Sequence, residues 1–298
     1  MTPRNCSNAV KSWYRADLKS VTVGDARVTQ VQGGIHWWDG GNFFGVVPKI
    51  LWSKFQPPDE LNRIAAGFNS YVIEIGGKTL LVDTGGGIRH EAVTLERMAW
   101  PNPEFLPETL ARHGFEASKI DCVINTHLHW DHCAGNTMDE AGGKVLPTFP
   151  NAKYVTQGGE LDAAREGHPR VAMSYRPVNY EPLVESGRMQ LLDGDTELVP
   201  GVTLRVMPGH NRDMMVVQVH SGQEVWCMFS DLVPFAAHVT PTWVAAFDFF
   251  PLQTIASKTE LLTRAAAEGW WCSFGHDPEV AFAKVETDGR KWRAVQTI

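Results

Sequence analysis

Between residues 125 and 132 the chain reads Asn-Thr-His-Leu-His-Trp-Asp-His, directly after the apolar run IDCVIN at 120–125. Three imidazoles and one carboxylate, His127, His129, Asp131 and His132, fall within six residues. Neither side-chain type is easily buried without a partner, so packing does not account for the cluster. A divalent cation such as Zn²⁺, which accepts both ligand types, does. A loop leaving a buried strand also holds its side chains rigidly, as a metal site requires. His127 and His129 can face one ion while Asp131 and His132 face a second. The remaining ligands must then come from distant parts of the chain, which restricts the fold to one that gathers loops at a common edge.

Three candidates recur at strand ends downstream: His210 in Met-Pro-Gly-His, Asp231 at the end of VWCMFSD, and His276 after WWCSFG. Layered α/β folds collect functional loops at such positions. A distant internal echo links 69–84 with 214–231: NSYVIEI turns through Gly76-Gly77 into KTLLVDTG, and MMVVQVH turns through Ser221-Gly222 into EVWCMFSD. Each reads as a hairpin ending in Asp, placing Asp83 and Asp231 at matching strand ends and suggesting two related halves face to face. Further strands are predicted at 120–125, 152–156, 202–207 and 270–274. PETLARHG reads as a helix closed by Gly114. A longer helix over 252–268 carries Leu252, Ile255, Leu262 and Ala266 on one stripe before Gly269. Alternating helices and strands make the class α/β or α+β.

With 298 residues, 43% hydrophobic and 20% charged, the chain has the composition of a globular protein with a large core. A net charge of -7 and the absence of Lys/Arg clusters argue against a nucleic-acid partner. No run of about 18 apolar residues is present to span a membrane, and the opening residues lack the apolar core of a signal peptide, so a cytoplasmic location is expected. The five cysteines, Cys6, Cys122, Cys133, Cys227 and Cys272, show no CxxC spacing and are expected to be free thiols. Cys133, although it follows His132, reads as packing. His36, His90, His113 and His220 read as surface or packing residues, and His168 is given no role.

The ordered set HLHWDH, PGH, strand-terminal SD and GHD, together with LLVDTG, resembles the metallo-β-lactamase superfamily over roughly residues 21–280. The resemblance implies one domain over 1–298, an αββα sandwich in which two mixed β-sheets pack face to face with helices outside. It implies two Zn²⁺ ions, or other divalent transition metals, with His127, His129 and His210 on one, Asp131, His132 and His276 on the other, and Asp231 bridging. Asp83 would stand behind a ligating imidazole and orient it.

A metal pair about 3.5–4 Å apart acidifies a shared water to a hydroxide that attacks a carbonyl or phosphorus centre, so no Ser or Cys nucleophile is needed. Asp131 could also accept a proton. Among relatives, the chain looks similar in size and ligand order to the N-acyl homoserine lactonases and the methyl parathion hydrolase group. Those lactonases carry a Tyr shortly after the bridging Asp, where this chain has Leu232-Val233-Pro234. His238 is the expected substitute proton donor. Trp37, Trp38, Phe43 and Phe44, in a loop-like stretch around Gly40-Gly41, and Trp130 are expected to line an apolar pocket or a homodimer contact.

The expected activity is hydrolysis of an uncharged, partly apolar ester, a lactone first and an organophosphate or aryl phosphotriester second. A non-catalytic descendant is the reading outside enzymes. Flavodiiron, nuclease and glyoxalase II relatives fit less well. The first would have an acidic residue at 129, the second a basic added domain, and the third a C-terminal helical domain that about twenty residues after His276 cannot supply.

Overall fold

The β-rich patterning resolves into two sheets that share an interior. The computed structural model describes residues 19–298. The first sheet has the order β1-β2-β3-β4-β5-β8-β9, formed by Ser20–Val23, Ala26–Asp39, Arg63–Ile75, Lys78–Val82, Cys122–Ile124, Lys153–Gln157 and Met189–Leu192. Its β1 to β4 run antiparallel, and β4, β5, β8 and β9 are parallel. The second has the order β10-β11-β12-β13-β14, from Thr196–Val199, Val202–Val206, Met215–Ser221, Glu224–Met228 and Trp271–Ser273. Here only β13 and β14 are parallel. Two hairpins, β6-β7 (Thr137–Asp139, Val145–Pro147) and β15-β16 (Lys284–Thr287, Trp292–Val295), complete the strands.

Period-two burial explains the layering, because alternate residues of each strand point to opposite faces. Val28, Tyr71, Ile73, Leu80, Val82 and Ile124 meet Leu204, Met215, Val217, Trp226 and Met228 in one cluster between the sheets. The opposite residues of the first sheet, Val72, Leu81, Val123 and Tyr154, pack under the helices Leu106–Arg112, Gly158–Glu166 and Glu181–Glu185. On the far side, Val216, Cys227 and Cys272 pack under the helix Pro251–Glu268. The result is helix, sheet, sheet, helix, and truncating a large side chain in either interior to Ala costs about 2–5 kcal/mol.

The two predicted hairpins are β3-β4 and β12-β13, each followed in space by a parallel strand, β5 or β14. This repeated unit sets Asp83 and Asp231 at equivalent C-terminal strand ends. Each end carries a tight left-handed residue, Asp83 itself at φ 54° and Ser230 at φ 50°. Non-glycine residues adopt this conformation at a cost that the surroundings must offset, and it tends to mark functional sites.

Two expectations change. Trp37 and Trp38 lie on β2, paired with Ala65 and Ile64 of β3, and only Gly40–Phe44 leaves the strand, as a short helix. The stretch is a sheet edge turning into a helix, capped by Asp39 on the Gly41 amide, and not a loop. In the long C-terminal helix the buried stripe is Thr254, Ser257, Lys258, Leu261, Leu262 and Ala265, while Leu252 is 82% exposed. The apolar count misplaced the face because a lysine occupies it. Lys258 Nζ donates to the carbonyls of Thr240 and Trp243, and burial pulls its pKa down to about 7. Cys122, Cys133, Cys227 and Cys272 are free buried thiols, and Cys6 lies outside the described residues. No described helix is long and apolar enough to cross a membrane.

Candidate metal centre

The ends of β4, β5, β13 and β14 meet at one edge of the sandwich, and every sequence-predicted ligand projects there. Asp83 accepts from the Thr126 amide at 2.8 Å and from the Thr126 hydroxyl at 2.8 Å, which fixes the turn leaving β5. Met215 N donates to the Thr126 carbonyl at 2.9 Å and Gly67 N to the His276 carbonyl at 2.8 Å, so backbone bonds tie one sheet to the other beside the site. Gly209 is required before His210, because a Cβ there would stand 2.6 Å from Thr254 Cα of the long helix.

Ligand-capable atoms of His127, His129 and His210 lie within 4.8 Å of one another, and so do those of Asp131, His132 and His276 and those of His127, His132 and Asp231. Asp231 joins the groups. Its Oδ1 is 3.1 Å from His132 Nε2 and 3.0 Å from His276 Nε2, and its Oδ2 is 3.5 Å from His210 Nε2. His129 Nδ1 stands 3.0 Å from His210 Nε2. Asp131 Oδ2, nearer the surface, is 3.7 Å from His276 Nε2.

Electrostatics separate these side chains into two kinds. Burial, reinforced by neighbouring imidazoles, holds His127 and His129 well below the usual histidine range. His132 and His276 are also buried, yet the Asp231 carboxylate raises both above that range. Burial opposes ionisation of Asp231, but His132, His276 and His210 together hold it well below the usual carboxylate range. The buried atoms His127 Nε2, His132 Nε2 and Asp231 Oδ1 have no hydrogen-bond partner. Such orphans are costly in a protein interior. Nitrogen and carboxylate donors converging on shared points fit divalent cations, so the residues present suit the metals that the sequence implies.

Three of the imidazoles are oriented from behind. His132 Nδ1 meets Asp83 Oδ2 at 2.8 Å, as expected for Asp83. His276 Nδ1 meets the Gly67 carbonyl at 3.0 Å. His210 Nδ1 meets Asp248 Oδ1 at 3.1 Å, and Asp248 is itself held by the Thr254 hydroxyl at 2.7 Å. Asp248 was missed because it sits in an aromatic loop with no motif around it. Its only sequence signal is the spacing to Thr254, one helical turn into the last helix.

A cavity of about 280 Å³ opens over Asp131, Asp231, His129, His210 and His276. Trp38, Phe43 and Trp130 line it, as expected, joined by Phe247. Trp37 and Phe44 do not. Phe44 is wholly buried and stacked on Trp52 at 5.0 Å and on His238 at 4.5 Å, and Trp37 alternates to the other side of β2 from Trp38.

His238 is likewise absent from the cavity. It is fully buried, its Nε2 bonds the Phe43 carbonyl at 2.8 Å, and burial lowers its pKa to about 3. An imidazole that stays neutral and packs behind Phe44 cannot donate a proton to substrate, so the expected donor role is withdrawn. His36 is a packing residue, stacked on Phe68 at 4.3 Å. Cys133 donates to the Leu128 carbonyl inside the apolar layer.

Residues 67–276 match the metallo-beta-lactamase superfamily. An N-acyl homoserine lactonase of Bacillus thuringiensis is 27% identical over 233 residues, covering 70% of this chain and 80% of the relative. A structure described as a probable metal-dependent hydrolase from Staphylococcus aureus superposes with a TM-score of 0.84 and 28% identity, covering 93% of this chain and all of the other. The dizinc quorum-quenching lactonase AidC, with its product N-hexanoyl homoserine bound, gives 0.76 at 20% identity over 93% of this chain and 96% of its own. The two-sheet fold agrees with a match that spans most of the chain, and the protein belongs to the metallo-β-lactamase superfamily of hydrolases.

Proposed function

We propose that this chain holds two divalent transition metals, zinc first among them, and hydrolyses a carboxylic ester, with a lactone as the favoured substrate. The observation that carries the reading is the two-sided contact of Asp231, whose Oδ1 faces His132 and His276 while Oδ2 faces His210. A carboxylate turned toward two ligand groups suits a bridge between cations that would otherwise repel each other. His127, His129 and His210 would hold one ion, and Asp131, His132 and His276 the other. When bound, such a pair supplies Lewis acidity and a water acidified toward neutral pH.

The chain's own residues supply the rest. Asp131, half-buried at the cavity wall, is placed to take a proton as well as to ligate. Trp38, Phe43, Trp130 and Phe247 offer an apolar wall for an acyl group. Arg170, at the mouth, donates to the Ala246 carbonyl at 2.7 Å and has further N–H groups for a substrate oxygen. The lactone preference is supported by the lactonase relatives and by this acyl-sized wall.

The test is a substrate panel on protein supplied with Zn²⁺, Mn²⁺ or Co²⁺: an N-acyl homoserine lactone, a simple γ-lactone, an aryl ester and an aryl phosphotriester. Higher kcat/KM on the lactones and the ester is expected. Fast phosphotriester turnover with negligible lactonase activity would reject the substrate reading while keeping the hydrolase.

A further inference from the structure

One fully buried carboxylate outside the ligand set has every hydrogen bond directed at residues that flank or touch ligands. Glu160 lies in the helix Gly158–Glu166, which follows β8, the strand beside β5. Its Oε1 accepts from the Leu128 amide at 3.0 Å, and Leu128 is the residue between His127 and His129. Asn211 Nδ2, next to His210, reaches Oε1 at 3.1 Å and Oε2 at 3.2 Å. The Tyr175 hydroxyl donates to Oε1 at 2.9 Å, while the Tyr175 backbone bridges His129 and its ring lies 4.8 Å from the His129 ring. No Lys or Arg pairs with Glu160 among the described residues. Its hydrogen-bond donors are all set on segments that carry or touch His127, His129 and His210.

Burying an unpaired carboxylate is expensive, and an apolar residue would fill the same helix position at lower cost. We propose that Glu160 is a positioning residue that fixes the His127, His129 and His210 ligand group and leaves the Asp131, His132 and His276 group unaffected. The inference rests on the two-metal reading above. Asp83 has the complementary place, since it contacts His132 directly and orients the other group. Removing Glu160 leaves the Leu128 amide and the Tyr175 hydroxyl without an acceptor and Asn211 Nδ2 with only the Tyr175 oxygen at 3.4 Å, so these segments must move to find new ones.

The test is metal affinity, read by competition with a chromophoric chelator on chelator-stripped protein titrated with Zn²⁺. Glu160→Ala is compared in two backgrounds, His276→Ala, which disables one ligand group, and His210→Ala, which disables the other. In the His276→Ala background Glu160→Ala should weaken the remaining site about 10–100-fold, the range seen for groups behind metal ligands. In the His210→Ala background it should change affinity less than about threefold. Glu160→Gln, which keeps the shape and one carbonyl oxygen for the Leu128 amide, should retain most of the affinity and guards against a variant that fails to fold. Equal weakening in both backgrounds would reduce Glu160 to general stability and overturn the proposal, as would no weakening in either. Fewer than two metals on the unmodified protein would overturn the two-metal reading itself.

Discussion

Asp248 Oδ1 lies 3.1 Å from His210 Nδ1, so the imidazole is turned by a carboxylate that the long helix holds through Thr254. Asp83 does the same for His132 at 2.8 Å. Each ligand group thus has one histidine backed by a buried acid, which fixes the tautomer and raises ligand basicity. Asp248→Ala and Asp83→Ala should each weaken zinc binding about 10–100-fold. Asp248→Asn, which keeps an acceptor without the charge, should cost less. Chelator competition on the purified variants reads this directly, and unchanged affinity in Asp248→Ala would detach that residue from the site.

Asp231→Ala should be the most damaging single change. Its carboxylate faces His132, His276 and His210 at 3.0–3.5 Å, and truncation would remove the one negative group set between the two cations these residues are proposed to hold. Loss of metal retention together with loss of turnover is the expected outcome, measured by elemental analysis and kcat/KM on the same samples. Two metals with near-normal rates would mean that Asp231 is not the bridge.

His238 gives a pH-dependent stability term. Its folded pKa is depressed from 6.5 to about 3 by burial, so the unfolded chain takes up a proton on this residue that the folded chain refuses. Stability from this source is fully present above about pH 6.5 and is lost as pH falls toward 3, by up to about 5 kcal/mol. His238→Gln, which can still donate to the Phe43 carbonyl, should flatten that acid slope in denaturant titrations at pH 7 and pH 5. Its kcat/KM should stay within the same order of magnitude. A large, substrate-dependent rate loss would restore the proton-donor role.

Much of this site could be read from the chain because metal ligation demands particular residue types. Seven ligand candidates stand at strand ends, and the strands before them are short apolar runs that a burial pattern exposes. Residues acting through others were less visible. Glu160 and Asp248 reach the site by folding from separate segments, and an isolated acid in a helix or an aromatic loop looks like any surface acid. His238 misled in the opposite way, since proximity to Asp231 in sequence says nothing of direction. The turn Ser230–Leu232 sends the chain behind Phe44, where the ring stacks 4.5 Å away. Strand alternation explains why Trp38 lines the cavity and its neighbour Trp37 does not, although adjacency in sequence had grouped them.

The aromatic wall can be separated from the aromatic core. Trp38→Ala should raise KM for long-chain acyl lactones more than for short ones, because it removes apolar surface from the cavity. Phe44→Ala, behind the wall, should cost about 3–5 kcal/mol of stability with little change in chain-length preference. Melting curves and a series of acyl lengths distinguish the two. The same chain-length shift in both variants would mean that the wall and core act as one unit.

The most direct measurement is a titration of chelator-stripped protein with Zn²⁺, following bound metal and lactone hydrolysis in the same samples. Activity should be absent without metal and should climb to a plateau as occupancy approaches two ions per chain, the number proposed for the ligand-capable residues around Asp231. Full activity in the stripped protein, or a plateau with no metal bound, would contradict a metal centre built from these residues.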